Sequence, residues 1–599
     1  MQNRGDKKYG PLPLVVGITG HRDLRPEDTA KLEAQVAALF AELEAAYPHT
    51  PLHILSPLAE GADRLVARIA LARGVRLIVP LPMVQAEYEK DFSTSESLEE
   101  FRSLLARADR SLELPYLPGN DAGNVCDAAC RAEQYALVGA YVVRHCQILI
   151  ALWNGVSRGE GGGTGTILEY RHEGIPERLL ATLLETESAS GSTLDPPETG
   201  PVYHIVTPRR HHPELKGEPF TLNRYYPGKK VTDEEEGEAI PESQATFDRI
   251  FANMEEFNRN VLRAEADPDL SAKLRRNAGY LIADETAATL DPALRTLRQA
   301  YALTDTLAQE YQQRTFGMLK LLIGIVFLAG VAFELSAKLA PDNARLGLIF
   351  PGMIGVAWVL WYSTVSRGAW QDRYQDYRAL AEGLRVEFFW RLAGIGTSVA
   401  DNYLRKQRGE LDWIRIAIRN LSENAGAEGT APLGTAEHLG YVQKHWVADQ
   451  ARYFERATHR EESRLERLEE AIQVLIATSP VVALLTALAE LIPSPVQDWM
   501  HGYPLAHKLL IIAVFLLAAL AGALHTYVDK RALSEHARQY ERMGHLFVLA
   551  EHRLHRRLAA GEYEEARQLL TELGQESLAE NGDWVMTHRE RPVDVPHGG

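Results

Sequence analysis

Two uncharged apolar runs, close together in the middle of the chain, set the strongest limit on how it can fold. Leu321–Phe333 is almost wholly apolar and is extended across one charge, Lys320, by Gly317, Met318 and Leu319; Leu346–Ser366 carries no charge at all. The bend between them holds Pro341, Asp342, Asn343 and Arg345. An apolar helix of about 20 residues matches the hydrocarbon thickness of a bilayer, so the pair reads as a membrane hairpin and not as the buried hairpin of a soluble core. The plan then recurs. A charged helix, about Asp449 to Glu470, leads into apolar Ala471–Ala489, and a loop with Pro493, Pro495 and Pro504 leads into Leu509–Val528. Asp376-Tyr-Arg-Ala-Leu-Ala-Glu and Gln539-Tyr-Glu-Arg-Met-Gly-His fall at similar places after their spans, which marks an internal duplication of pattern more than of identity. Spans are expected at about 317–336, 346–366, 471–489 and 509–528.

Composition confines that membrane part to a minority of the mass. The chain has 599 residues and a mean hydropathy of -0.21, low for a polytopic transporter. A net charge of -17 argues against a nucleic-acid-binding surface over the whole chain, while leaving room for a local basic pocket. No ionisable residue lies deep in any span, so the spans show no proton relay or ion-coupled transport machinery. Arg and Lys cluster before spans one and three and after spans two and four. This bias places both termini and the middle segment in the cytoplasm of a multi-pass plasma-membrane protein. The leading MQNRGDKKYG lacks the apolar core of a signal peptide, in keeping with a cytosolic N-terminal domain. Cys126, Cys130 and Cys146 are too few for a disulfide framework, and no His or Cys pair follows at zinc spacing. Cys126 and Cys130 read as small buried helix residues, and neither a metal nor another resident cofactor is expected.

Upstream of the spans, short apolar strands alternate with helices. Strands are expected at Leu12–Thr19, His53–Pro57, Val75–Leu81, Gln147–Trp153 and, last, Val202–Thr207; helices at Pro26–Ala46, Glu60–Arg73, Leu98–Arg107 and Ala128–His145. This is the pattern of a doubly wound α/β domain with a parallel sheet, at about residues 10–210, followed by an all-α membrane domain. The remainder divides into a linker with connecting helices (211–283), a first two-span helical unit (284–420), a second linker (421–448), a second two-span unit (449–560) and a C-terminal cytosolic tail (561–599). From Leu294 a 3-4 seam of Leu297, Tyr301, Thr304, Ala308, Tyr311, Thr315 and Met318 predicts one long helix entering the first span unbroken.

Ligands of doubly wound folds sit beyond the carboxyl ends of the strands. Three motifs fall there. Gly17-Ile-Thr-Gly-His-Arg-Asp23 follows the first strand and is expected to open a helix, with Gly17, Gly20, Thr19, His21 and Arg22 around an anion. Ser56-Pro-Leu-Ala-Glu-Gly-Ala-Asp-Arg64 repeats the arrangement at the second strand, with Gly61 permitting the turn and Glu60, Asp63 and Arg64 facing the mouth. The third follows the strand ending in Trp153 and Asn154. Amides of Gly162, Gly163, Thr164, Gly165 and Thr166 would cap a phosphate at a helix start. Glu169, one turn inside, would face a ribose or attack its anomeric carbon.

With these motifs the first 210 residues resemble the SLOG superfamily, which includes LOG-type nucleotide phosphoribohydrolases, nucleoside deoxyribosyltransferases and DNA-processing A proteins. Gly162-Gly-Thr-Gly-Thr-Ile-Leu-Glu169 is similar to the LOG pattern P-G-G-x-G-T-x-x-E, with Gly161 in place of the proline. The LOG enzymes' G-G-x-x-R motif has no counterpart; Arg131 is the nearest substitute. The helical remainder, including Tyr377-Arg-Ala-Leu-Ala-Glu382, looks like SLATT and related two-span effectors. The resemblance implies a sensor of a nucleotide or NAD-derived messenger that controls a membrane effector, a ligand-gated pore or a membrane-disrupting protein, in bacterial anti-phage defence. Four spans per chain cannot enclose a wide pore, so a homo-oligomer is implied. The alternative is a membrane-tethered N-glycosidase acting through Glu169.

Overall fold

A computed structural model of the chain describes residues 9–125, 127–157, 162–184, 199–227, 241–283, 290–366, 368–404, 409, 411–424, 433–491 and 503–590. Much of the polar insertions 185–200 and 228–243, and Cys126, lie outside them. The chain forms two compact units. One holds Met1–Lys273, Ala287–Ala300 and Gly396–Ala431; the other holds Leu274–Thr286, Tyr301–Ile395 and Pro432–Gly599.

The first unit is built on a seven-stranded sheet in the order β4-β3-β2-β1-β5-β6-β7. Its strands are β1 (Leu14–Gly20), β2 (Leu52–Leu55), β3 (Arg76–Leu81), β4 (Arg110–Glu113), β5 (Ile148–Trp153), β6 (Val202–Val206) and β7 (Leu222–Tyr225). Helices α1 (Thr29–Ala46), α2 (Ala62–Ala72), α3 (Ser95–Leu105), α4 (Ala128–His145), α5 (Thr164–Glu173) and α6 (Glu177–Leu183) connect them. All pairings are parallel except β6 with β7. β5 is buried along its whole length because helices cover both faces, which is why its sequence is a continuous apolar run. The strand order reverses between β1 and β5, where Gly17 pairs with Leu149 and Gly20 with Leu152.

Four expectations are corrected. β4 (Arg-Ser-Leu-Glu) and β7 (Leu-Asn-Arg-Tyr) are additional strands, and β7, not β6, is the last. Both lie at the sheet's edges, half exposed, so polar residues are tolerated and no apolar run betrays them. Gly17–Asp23 does not open a helix. Gly17, Thr19 and Gly20 belong to β1 itself, and α1 starts only at Thr29, after a turn set by Pro26. Cys130 is half-buried in α4, not buried.

The amino ends of the central strands are plugged from below. Helices α7 (Pro241–Ala266), α8 (Pro268–Ala278) and, later in sequence, Asp412–Asn424 follow the sheet. Asn258 of α7 satisfies the Leu12 backbone on both sides, accepting its N–H at 3.0 Å and donating to its carbonyl at 2.8 Å. Asn420 donates to the Pro13 carbonyl at 3.0 Å, and Phe257 packs on Trp413. Buried backbone groups left without such partners would each cost about 1–3 kcal/mol.

The second unit is helical. Its main helices are α9 (Pro292–Leu339, from Tyr301 onward), α10 (Ile349–Trp361), α11 (Trp370–Leu392), α13 (Ala436–Val442), α14 (Ala448–Leu491), α15 (Pro504–Lys530), α16 (Leu533–Ala560) and α17 (Tyr563–Arg589), with α12 being Asp412–Asn424 of the first unit. Four helical stretches are long and apolar enough to cross a membrane, and only 6–17% of their apolar windows is buried. A surface of exposed Leu328, Phe333, Trp358, Val359, Leu484 and Leu485 suits lipid and not water. The long uninterrupted helix expected from the Leu294 seam is present as α9, and Pro480 lies inside α14.

Two backbone details reinforce the duplication. α11 and α16 each begin after a left-handed alanine, Ala369 (φ 45°) and Ala532 (φ 49°). The same spacing that separates these two separates Tyr377 from Tyr540. Tyr377 meets Tyr311 of α9 edge-on at 5.7 Å, and Tyr540 meets Tyr453 of α14 at 6.3 Å. The fourth correction is the C-terminal tail: residues 563–589 are the helix α17, packed on α11 and α16, with Gly574 against the Trp390 indole and Trp390 Nε1 donating to the Leu570 carbonyl at 3.1 Å.

Candidate functional site

Where the strand order reverses, the chain ends of β1 and β5 diverge and leave a cavity of about 350 Å3. Of the residues singled out from sequence, Thr19, Gly20, His21, Arg22, Asp63, Trp153, Gly162, Gly163, Thr164, Gly165 and Thr166 line it. Gly17, Glu60, Gly61, Arg64, Asn154 and Glu169 are outside the lining, and each has another placement. Gly17 packs against Cys146 and Val142 of α4. Gly61 caps α2 at φ 78° beneath the His21 and Arg22 carbonyls. Glu60 accepts from the Ser97 hydroxyl. Arg64 is buried and donates to the carbonyls of Leu58 at 3.0 Å and Ser97 at 2.8 Å. Glu169 is exposed, 3.5 Å from Ser157 Oγ. Arg131 is likewise occupied away from the cavity, with Asp91 at 2.7 Å and the Glu87 carbonyl at 2.7 Å.

One wall is the start of α5. Gly163 is its N-cap, and Ile167 N–H makes the first intrahelical bond, to Gly163 O at 3.1 Å. The first-turn amides therefore have no acceptor within the helix and, with the helix dipole, favour an anion. Gly162 (φ 76°) brings this turn against α4, where a Cβ would come within 3.0 Å of the Ala132 carbonyl. A side chain there would push the turn off the cavity.

A second stretch of the lining, with Tyr135 of α4 next to Gly162, is basic and aromatic. Arg22 is exposed and lies over the Tyr135 ring at 4.8 Å, and the Tyr135 hydroxyl, buried in the wall, has no hydrogen-bond partner. Arg209 closes one side, where the segment after β6 folds onto the segment after β1. Its Nε donates to Asp23 at 2.8 Å, and Arg210 N–H donates to the Asp23 carbonyl at 2.9 Å. Sequence reasoning passes over Tyr135, which comes from the middle of an ordinary amphipathic helix. Arg209 carried a usable signal: the basic run Arg209-Arg210-His211-His212 lies directly after a strand.

Two titratable groups inside the cavity are tuned by burial. His21 Nε2 lies 3.0 Å from both the backbone N–H and the side-chain Oδ1 of Asn154. Burial, aided by Arg209, lowers its pKa to about 4. Burial raises Asp63 to about 7, against the opposing pull of Arg22. The folded state therefore holds the Asp63 proton more tightly than the unfolded chain, and stability falls as pH rises through the window up to about 7. His21 acts in the other direction: stability is gained as pH rises from about 4 towards its ordinary 6.5. Asp63→Asn removes only the falling contribution. Its melting temperature is expected to exceed that of the parent at about pH 8 and to climb between about pH 4 and 6.5. A variant profile parallel to that of the parent across this range would show Asp63 to titrate normally.

The arrangement can hold an anion at α5, stack a planar group near Arg22 and Tyr135, and offer hydrogen bonds from Thr19 and Thr164. Among the described residues, no group of three or more His, Cys, Asp or Glu is placed to hold a metal ion. No protein-family model, no curated protein and no solved structure matches this chain.

Proposed function

We propose that the chain is a nucleotide-signal sensor joined to an oligomeric membrane effector, a reading in line with the SLOG-like and SLATT-like motifs of its sequence. The observation that carries it is the cavity at the β1/β5 reversal, lined by a glycine-capped helix start and by Arg22 and Tyr135, on a chain that also holds four membrane-length apolar helices. Phosphate at the α5 amides and a base near Tyr135 would use both walls at once. The spans would lie in the plasma membrane, with the termini and the α/β unit in the cytoplasm. The output is a pore or a local disruption of the bilayer by a homo-oligomer, in defence against phage. To turn a mostly closed assembly into a mostly open one, ligand must favour the open state by about 5.5 kcal/mol in total. Shared among several subunits this is on the order of 1–2 kcal/mol each, within the reach of a few phosphate contacts.

The test is calorimetry on the full chain in detergent with nucleoside mono- and diphosphates, cyclic dinucleotides and NAD. Gly163→Glu places a carboxylate at the anion position. It is expected to weaken binding at least about 100-fold, equivalent to about 2.7 kcal/mol, with membrane insertion unchanged. Thr164→Val should weaken binding in the same direction by a smaller factor. Should Gly163→Glu bind as the parent does, or should none of these ligands bind, the reading fails. The glycosidase alternative loses ground because Glu169 is exposed and outside the cavity lining. Release of free base from a nucleotide, abolished by Glu169→Gln, would reinstate it.

A further inference from the structure

Asp63 is the only carboxyl among the described residues that line the cavity. It sits in the first turn of α2 and is 5% exposed. Its carboxyl accepts one long hydrogen bond, from the Ala59 N–H to Oδ2 at 3.3 Å, and Oδ1 takes none from the described residues. An ionised carboxylate offers about four acceptor sites, and buried ones are ordinarily filled. Most of the capacity of Asp63 is therefore left for whatever enters the cavity.

Its neighbours define the shape of that occupant. Tyr135 runs from the anion site towards Asp63. A Cβ on Gly162 would come 2.9 Å from Tyr135 Cβ, so the root of this side chain adjoins the α5 start. Its ring lies 6.3 Å from the Tyr88 ring and 4.8 Å from the Arg22 guanidinium. Burial raises the pKa of the Tyr88 hydroxyl, and Arg22 and Asp63 act on it in opposite senses, so both stand near it. A phosphate at α5 thus has an aromatic ring beside it and a carboxyl beyond that ring. The cavity's volume of about 350 Å3 is at the small end of ligand pockets, about 300–1,000 Å3, and holds one nucleotide unit.

Nucleotides offer a carboxyl two kinds of complement. The ionised group takes two adjacent donors, which guanine presents as N1–H and N2–H and ribose as its vicinal hydroxyls. The protonated group needs a donor beside an acceptor, which is the N6–H and N1 edge of adenine. Arg22 draws Asp63 towards the ionised form, and the stacking surface of Tyr135 and Arg22 beside it suits a base and not a sugar.

We infer, resting on the nucleotide reading proposed above, that Asp63 selects a guanine base, its carboxylate oxygens accepting from guanine N1–H and N2–H while the base lies against Tyr135 and Arg22. The ligand of the cavity is a guanine nucleotide.

Calorimetry on the full chain in detergent tests this with the monophosphates of guanosine, inosine, adenosine, xanthosine and deoxyguanosine. The guanosine form is expected to bind at least about tenfold more tightly than the inosine form, which lacks the 2-amino donor, and than the adenosine form; the deoxyguanosine form should match it. Burial holds Asp63 at about 7 in the free protein, so its proton must leave first in more acidic solution, and affinity should fall by up to about tenfold per pH unit below that value. Asp63→Asn exchanges one acceptor for an N–H donor. It is expected to weaken the guanosine form at least about 100-fold and to strengthen the xanthosine form, whose O2 accepts that N–H, at least about tenfold. A gain of this kind cannot come from misfolding. Preference for adenine, loss of binding on removal of the 2′-hydroxyl, or an Asp63→Asn variant with the parent's order of bases would overturn the guanine assignment and leave the sensor reading standing. Absence of binding by every nucleotide would overturn both. If the variant does not fold, the parent's order of bases and its pH slope decide.

Discussion

Gly61→Ala is expected to destabilise the chain by about 3 kcal/mol, combining a left-handed backbone penalty of about 1–2 kcal/mol with a steric one of similar size. Gly61 sits at φ 78°, and a Cβ built there falls 2.4 Å from the His21 carbonyl oxygen and 2.5 Å from that of Arg22. Both obstacles are backbone, so no side-chain rotation relieves them. Ala62 N–H donates to the His21 carbonyl at 3.0 Å, so displacing this turn also breaks the tie between α2 and the end of β1. Gly74 supplies the control. Its φ is 76°, yet nothing lies within 4 Å of its Cβ position. Gly74→Ala should therefore lose only the conformational share, about 1–2 kcal/mol. Denaturation of both variants in the same detergent measures the difference. Equal losses would mean that the turn at Gly61 yields freely, and that the cavity's floor is softer than its contacts suggest.

Arg378→Met is expected to lose about 3 kcal/mol, the low end of the range for removing one partner from a group of buried charges, because the residue as a whole is only half-buried. Burial opposes the charge on Arg378, but Tyr453, Glu382, Asp305 and Tyr540 hold its pKa above the ordinary arginine value. Five helices contribute to this cluster, since Glu580 of α17 joins Asp305 of α9, Glu382 of α11, Tyr453 of α14 and Tyr540 of α16. Burial and then Glu382 push Glu580 up to about 8, with Arg378 and Arg542 pulling it back. In the folded protein Glu580 thus retains its proton where the unfolded chain has lost it, and stability drops as pH rises from about 4.5 to about 8. Without Arg378 the carboxylates lose a shared counter-charge, so the variant's deficit should grow across that interval. Arg378→Lys should recover part of it, having the charge without the planar fork. A loss under about 1 kcal/mol, flat with pH, would show the cluster to be solvated.

How legible each part was follows from where its stabilisation comes from. The spans and strands β1, β3 and β5 declare themselves because each is buried or lipid-facing on all sides, and the requirement is written into consecutive residues. β4 and β7 are held by a neighbour on one side only, so Arg110, Glu113, Asn223 and Arg224 are admissible and the period-2 signal is lost. α17 escaped notice because the apolar residues of its buried face, Leu570, Leu573, Leu578 and Val585, are interleaved with buried Ala566, Gly574, Ser577 and Asn581, small or polar residues that pack closely without raising hydropathy. At the cavity, the glycine-rich α5 start was readable because backbone geometry demands glycine locally. The orientation of Glu169 was not. α5 enters the cavity by its first turn, so a residue one turn on can already lie outside. Tyr135 and Arg209 reach the site through tertiary packing, which no local pattern encodes.

The left-handed alanines that follow the second and fourth apolar spans carry a mechanical consequence. An L-residue in this conformation costs about 1–2 kcal/mol that glycine would not, and the neighbouring Gly368 shows that glycine is available at the bend. Each joint is therefore sprung: the bent form is held by its packing against the rest of the bundle, and the backbone itself favours straightening into one rod. Ala369→Gly and Ala532→Gly should relax the springs, stabilising the bent form by about 1 kcal/mol apiece. A chain with both substitutions would need a larger push from any ligand to unbend.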